Sequence, residues 1–203
     1  MWEDACTANQ VLPCLRYAWE DARLRRMLGG LVRRQTRQVA ADPLANAHTA
    51  QSSDTSSHAT DATSASAFAG TRAPAMKPGI HKRLYELASL FSFLKLSRAY
   101  FAATNDASPF DATWLLEAVT SVIRAKQRPT ALPSDYQSSR MTSDASDTLI
   151  LGVGPPARRT GMSRPAFRPS DEACVLPFLF PANAMAVVEL NYAASMLSRH
   201  RTL

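Results

Sequence analysis

Large apolar residues fall in blocks along the chain rather than evenly. A first block, residues 11–40, places Leu15, Trp19, Ala22, Leu28, Leu31 and Val32 near a helical stripe. Arg16, Arg23, Arg25, Arg26, Arg33, Arg34 and Arg37 fill its other faces, and Gly29-Gly30 interrupts it. Each glycine costs about 1 kcal/mol in a helix relative to alanine, so two helical pieces or a kink are expected there. Residues 41–78 are rich in Ser, Thr and Ala with one aromatic, Phe68. Such a tract buries too little area to offset chain entropy and reads as a flexible linker open to phosphorylation.

The strongest block is residues 79–128. Leu84, Leu87, Phe91 and Leu94 follow helical 3-4-3 spacing, and Tyr85, Phe93 and Leu96 broaden that surface. The stretch Ile80–Asp106 lacks Gly and Pro, so it is one long helix or two joined near Phe93–Ser97. Asn105-Asp106-Ala107 reads as a turn. Ser108 and Pro109 then suit the start of a helix whose stripe is Leu115, Leu116, Val119, Val122 and Ile123. Residues 129–171 are Pro-rich, with Thr148–Leu151 as a short strand or docking segment. Residues 172–203 close the chain with a helix over Ala182–Arg201, its buried face expected at Met185, Val188, Tyr192 and Met196.

Composition sharpens this picture. Of 203 residues, 46% are hydrophobic, but 34 are alanine, and Leu, Ile, Val and Phe together number 41. That proportion is near the level at which chains fail to fold, so a core spanning the whole chain is excluded. The expected fold class is therefore all-α: a small three-helix module with flanking amphipathic helices and long disordered linkers. Its parts are a basic N-terminal helical segment (1–40), a linker (41–78), the module (79–128), a flexible Pro/Arg-rich segment (129–171) and a C-terminal helix (172–203).

The net charge of +6 suits acidic partners. Arg158, Arg159, Arg164 and Arg168, set among Pro, Gly and Ser, are the candidate contacts to an acidic partner, nucleic acid included. Cys6, Cys14 and Cys174 show no metal or disulfide spacing, and the four histidines are scattered. No cofactor or metal is expected. The acidic start Met1-Trp2-Glu3-Asp4 does not suit a secretory signal, and no window is apolar enough to span a membrane, so a cytoplasmic or nuclear location is expected. No phosphate loop, nucleophile elbow or HExxH motif is present, and Gly152-Val153-Gly154 is followed by two prolines rather than a helix. The chain is thus expected not to be an enzyme.

The central block resembles the MOZART family of mitotic-spindle organizing proteins. The resemblance runs from Leu84-Tyr85-Glu86-Leu87-Ala88 through a second helix at Leu96–Asn105 and the turn Ala107-Ser108-Pro109. It continues in a third helix that ends in Arg124-Ala125-Lys126-Gln127-Arg128. Phe93-Leu94-Lys95 stands where that family has a glycine. The resemblance implies a non-enzymatic adaptor that packs against helices of gamma-tubulin complex proteins in microtubule nucleation. The partner-binding face would be Leu84, Leu87, Phe91, Phe101, Leu115, Val119 and Val122. The alternative from the arginine-rich segments is a nucleic-acid-associated subunit of a ribonucleoprotein or chromatin complex.

Overall fold

A computed structural model describes residues 2–54, 76–110, 116–121, 136, 138, 144–158 and 160–200. The chain opens with β1 (Trp2–Glu3), α1 (Asp4–Val11) and a 3-10 turn (Leu12–Tyr17) that Pro13 helps to start. Asp21 then caps α2 (Ala22–Ala41): its Oδ1 accepts from the amides of Arg23 at 2.8 Å and Leu24 at 3.1 Å. The helix runs unbroken through Gly29-Gly30, so the expected kink is absent. Gly29 faces Tyr100 and Pro109, each 3.0 Å from where its Cβ would stand, so the missing side chain permits close packing.

Segments expected to be flexible are packed. In the stretch that follows α2, Asp42 and residues 44–49 are buried. It forms β2 (Ala47–His48), which pairs antiparallel with β1 and with β3 (Ile80–Lys82) in the order β1-β2-β3. The remaining linker residues, 55–75, lie outside the described part, as do most of residues 122–143.

The central helix is α3 (Leu87–Thr104), one element rather than two. Leu87, Leu90, Phe91, Phe93, Leu94, Leu96 and Tyr100 are all buried, so it is enclosed on nearly every side. Its buried hydroxyls are satisfied locally: Ser92, Ser97 and Thr104 each donate to the carbonyl four residues back, at 2.9, 2.7 and 2.8 Å. Asn105, with φ +49, ends the helix in the left-handed conformation that asparagine tolerates. The expected turn follows, held by Asp106 accepting from the Ser108 amide at 2.9 Å. Residues 116–121 are helical (α4) and bury Ala118 and Val119.

α5 (Phe180–His200) packs along α3 through Ala182, Ala186 and Ala193, whereas Val188 and Tyr192 of the expected stripe are exposed. Alanines let the two axes approach and admit a partly buried polar pair. Glu189 accepts two hydrogen bonds from Arg98, both at 3.0 Å, and the Arg98 guanidinium lies 4.4 Å over the Tyr192 ring. Two apolar clusters result. One joins the first half of α3 to Val39, Leu44, Leu84, Val119, Leu149, Phe167 and α5. The other joins its second half to Ala8, Leu15, Leu28, Val32 and Phe110. A three-helix module on flexible tethers is therefore not what forms, because α3 is the shared core of elements drawn from the whole chain. Among the described residues, no helix is long and apolar enough to cross a membrane.

Two outcomes follow from this packing. Gly30 has open space where a Cβ would go, so Gly30→Ala should raise the unfolding free energy by about 0.5–1 kcal/mol in urea titrations. Gly29→Ala should instead lower it. Tyr100 is held by a 2.7 Å bond to Asp106 and Pro109 has a rigid ring, so neither yields to the new methyl.

The second outcome concerns that Tyr100–Asp106 bond. Burial, reinforced by the Asp106 bond, pushes the Tyr100 hydroxyl up to about 12. Burial would also raise Asp106, but hydrogen bonds from Tyr100 and Ser108 outweigh it and hold the carboxyl below its usual range. The Tyr100 contribution is complete below pH 10 and is lost as pH rises towards about 12. The Asp106 contribution is lost as pH falls below the normal carboxylate range. Tyr100→Phe should flatten the alkaline decline relative to the native chain, measured as unfolding free energy against pH.

Candidate functional site

Three segments remote in sequence meet beside the N-terminus of α3. The first runs from Asp42 into β2, the second from β3 to Glu86, and the third is the loop 167–173. That loop is closed by the Phe167–Ala173 bridge and by the Arg168 amide donating to the Glu172 carbonyl at 2.8 Å. Buried Phe167 anchors it, since the amides of Ala166 and Phe167 both donate to the Tyr85 carbonyl at 3.0 Å.

Asn46 stands at the junction and is 2% exposed. Its Oδ1 accepts from the Leu84 amide at 3.1 Å, and its Nδ2 donates to Glu86 Oε1 at 2.7 Å and to Asp171 Oδ1 at 3.4 Å. The other Glu86 oxygen accepts from Ser89 Oγ at 2.7 Å. The Lys82 ammonium pairs with the other Asp171 oxygen. Glu86 is buried, whereas Asp171 and Lys82 are partly open to solvent. Asp171 has φ +67, a left-handed conformation rare outside glycine and concentrated at functional sites.

A second polar pair lies beside this cluster. Arg83 Nε donates to Asp42 Oδ2 at 2.8 Å, while Asp42 Oδ1 accepts from the Leu44 amide at 3.0 Å. The Arg83 guanidinium lies 5.7 Å from the Tyr136 ring centre, and the Tyr136 hydroxyl donates to the Arg83 carbonyl at 2.8 Å and accepts from the Tyr85 amide at 2.9 Å. Both members of the ion pair are buried, and removing one partner of such a pair costs about 3–5 kcal/mol. Nearby Cys174 is buried and its thiol is pushed up by that burial, which disfavours a thiolate nucleophile. Burial likewise lowers Arg164.

Chemically, the junction offers two carboxylates, an amide and an ammonium. That set supplies acceptors and donors for hydroxyl-rich ligands, and paired carboxyl groups are the equipment of glycoside hydrolysis. Among the described residues no group of three or more His, Cys, Asp or Glu could hold a metal ion. A cavity of about 440 Å³ opens separately between α2 and the β2–β3 pair, with Arg33, Arg34, Arg37 and His48 in its wall.

The residues singled out in the sequence lie elsewhere. Leu84, Leu87, Phe91 and Val119 are buried in the chain's own core, and Phe101 is partly buried against Phe110, with ring centres 6.1 Å apart. Leu115, Val122 and Arg159 lie outside the described residues. Arg158 is exposed, Arg164 donates to the Val153 carbonyl at 2.9 Å, and Arg168 lies 3.9 Å from Glu172. Arg164 and Arg168 both act on the buried Cys174 thiol. Asn46, Lys82, Glu86 and Asp171 were missed. The signal was present in Asp42-Pro43-Leu44-Ala45-Asn46 and Phe167-Arg168-Pro169-Ser170-Asp171, where carboxylates and an amide sit around prolines beside apolar anchors.

Residues 1–202 match the family described as metal-independent alpha-mannosidase, GH125. The chain is 36% identical over 203 residues to the meiotically up-regulated gene 157 protein of Schizosaccharomyces pombe, covering 94% of this chain and 39% of that protein. It also matches a solved Streptococcus pneumoniae metal-independent alpha-mannosidase in a non-productive complex with alpha-1,6-mannobiose. There the TM-score is 0.83 at 32% identity, over 95% of this chain and 43% of that one. The chain thus spans about two fifths of the length of these relatives.

These matches overturn the resemblance to the mitotic-spindle organizing family. With it go the non-enzymatic adaptor, the nucleic-acid-associated alternative, and gamma-tubulin complex proteins or nucleic acid as partners. The physical reason is visible in α3: the stripe taken for a partner surface is consumed inside the chain. The fold class is corrected likewise, from a small three-helix module to the largely helical fold that the chain shares with part of the pneumococcal alpha-mannosidase. By sequence along its whole length and by fold, the chain belongs to the GH125 family of metal-independent alpha-mannosidases.

Proposed function

We propose that this chain carries an α-mannoside site and takes part in hydrolysis of α-linked mannose without a metal ion. The observation that supports it is the junction of Asn46, Lys82, Glu86 and Asp171, with one amide nitrogen shared between two carboxylates. Sugars are bound through planar acceptors and fixed donors at hydroxyl spacing, and this cluster presents both. Asp171 is its accessible carboxylate, pinned by Lys82 in a strained backbone, and we assign it to sugar contact. Glu86 is sealed at the start of α3 and, with Asn46, holds Asp171 in place. Asn46 and Glu86 are accordingly positioning residues.

The ligand for the test is the disaccharide bound to the pneumococcal relative, alpha-1,6-mannobiose. The chain should bind it in calorimetry and release mannose from it, with no change on adding EDTA. Asp171→Asn keeps the shape of the side chain but removes its charge, and should reduce kcat/KM and affinity at least tenfold, roughly 1.4 kcal/mol. Binding unchanged by Asp171→Asn, with the variant folded by circular dichroism, would remove Asp171 from the site. Loss of activity with EDTA would contradict the metal-independent reading.

A further inference from the structure

The outer side of α5 carries no charge. Phe180, Ala184, Val187, Val188, Asn191 and Ser195 recur at spacings that set them along one side of the helix, and all six are exposed. At 1.5 Å per residue the stripe is about 22 Å long. Phe180 is 71% exposed, Val187 55% and Val188 47%. Glu189, the only charged residue between positions 180 and 198, is buried and taken by Arg98.

A helix face made for water looks different in this molecule. The exposed positions of α2 include Arg23, Arg26 and Arg37. Single exposed apolar side chains are ordinary, whereas a run of them on one element marks a surface that another element covers. Val175 and Leu176, 73% and 71% exposed, add to the run between the loop that carries Asp171 and the start of α5. The inner side of α5 is already spent on α3 through Ala182, Ala186 and Ala193.

Length and charge say what covers the outer side. The chain matches its relatives over nearly all of its own length, yet spans 39% of one and 43% of the other. The larger part of the family's fold therefore lies outside these 203 residues and must meet this part across some face. A second copy is less suited, since each chain carries +6 and two copies repel. We propose that the outer face of α5, with Val175 and Leu176, is the docking surface for polypeptide that carries the rest of the GH125 fold. This rests on family membership and not on the assignment of Asp171 to the sugar.

The test compares the full 203-residue chain alone with the same chain placed in the Schizosaccharomyces pombe relative, where it replaces the matched two fifths. Val187→Lys with Val188→Lys should move the Tm of the chain alone by no more than about 2 °C, because both positions face water there. In the chimera the same pair should lower the Tm by at least 5 °C, because two ammonium groups would be buried. Val187→Cys gives a reading independent of stability: its labelling by N-ethylmaleimide, followed by peptide mass spectrometry, should slow at least tenfold in the chimera. Equal labelling rates in the two settings, or a chimera whose parts melt independently, overturns the proposal. Sedimentation of the chain alone should show a monomer. A stable dimer abolished by the double lysine variant would make a second copy the occupant and overturn it as well.

Discussion

A buried carboxamide must place both its oxygen and its NH₂ group on partners, because an unpaired polar group away from water costs about 1–3 kcal/mol. Asn46 meets that demand with the backbone of residue 84, the carboxylate of Glu86 and the carboxylate of Asp171. Its requirement therefore fixes three chain segments relative to one another. The register of β2 against β3, the entry of the chain into α3 and the position of the 167–173 loop all depend on the same three hydrogen bonds. The Arg83–Asp42 pair repeats the device one step away, and the Tyr136 hydroxyl ties together the Arg83 carbonyl and the Tyr85 amide. Polar satisfaction thus positions the site, and apolar burial around α3 supplies the mass that makes the position rigid.

The same logic explains why the site needs so little apparatus. Glu86 is sealed among donors and Asp171 is partly open, so two chemically similar groups have different surroundings. Lys82 provides the compensating charge beside Asp171. The arginines divide similarly. Arg83 and Arg98 serve carboxylates within the fold, whereas Arg33, Arg34 and Arg37 surround a cavity. A single figure for net charge merges these roles.

Helices were legible in the sequence because 3.6-residue periodicity survives in α2 and a long apolar run without Gly or Pro marks α3, and the turn after Asn105 announced itself through residue type. The length of α3 was only half resolved: nothing in Phe93–Ser97 distinguishes a continuous helix from a break. α5 was placed but rotated. Its most buried positions are alanines around Glu189; of the expected large residues Met185 and Met196 pack against the clusters, while Val188 and Tyr192 are exposed. Residues 42–49 were hidden for a related reason. Their burial rests on side-chain amides, carboxylates and short strands, which leave no periodic trace and resemble a polar linker in composition. The site was illegible because its members lie at 46, 82, 86 and 171, and only tertiary structure brings them together.

The small β1-β2-β3 sheet has a further consequence for how the molecule comes to be. Its pairings join residue 3 to 47 and residue 47 to 82, and the Asn46 junction then reaches residue 171. Each contact closes a long loop before any local reward is collected, which raises the contact order well above that of a simple helical bundle. Chain collapse around α3 would precede completion of the junction, and the polar groups at 46, 86 and 171 would be the last to find their partners. Assembly of the fold and assembly of the site are then the same late event, so a chain arrested early would be helical yet chemically blank.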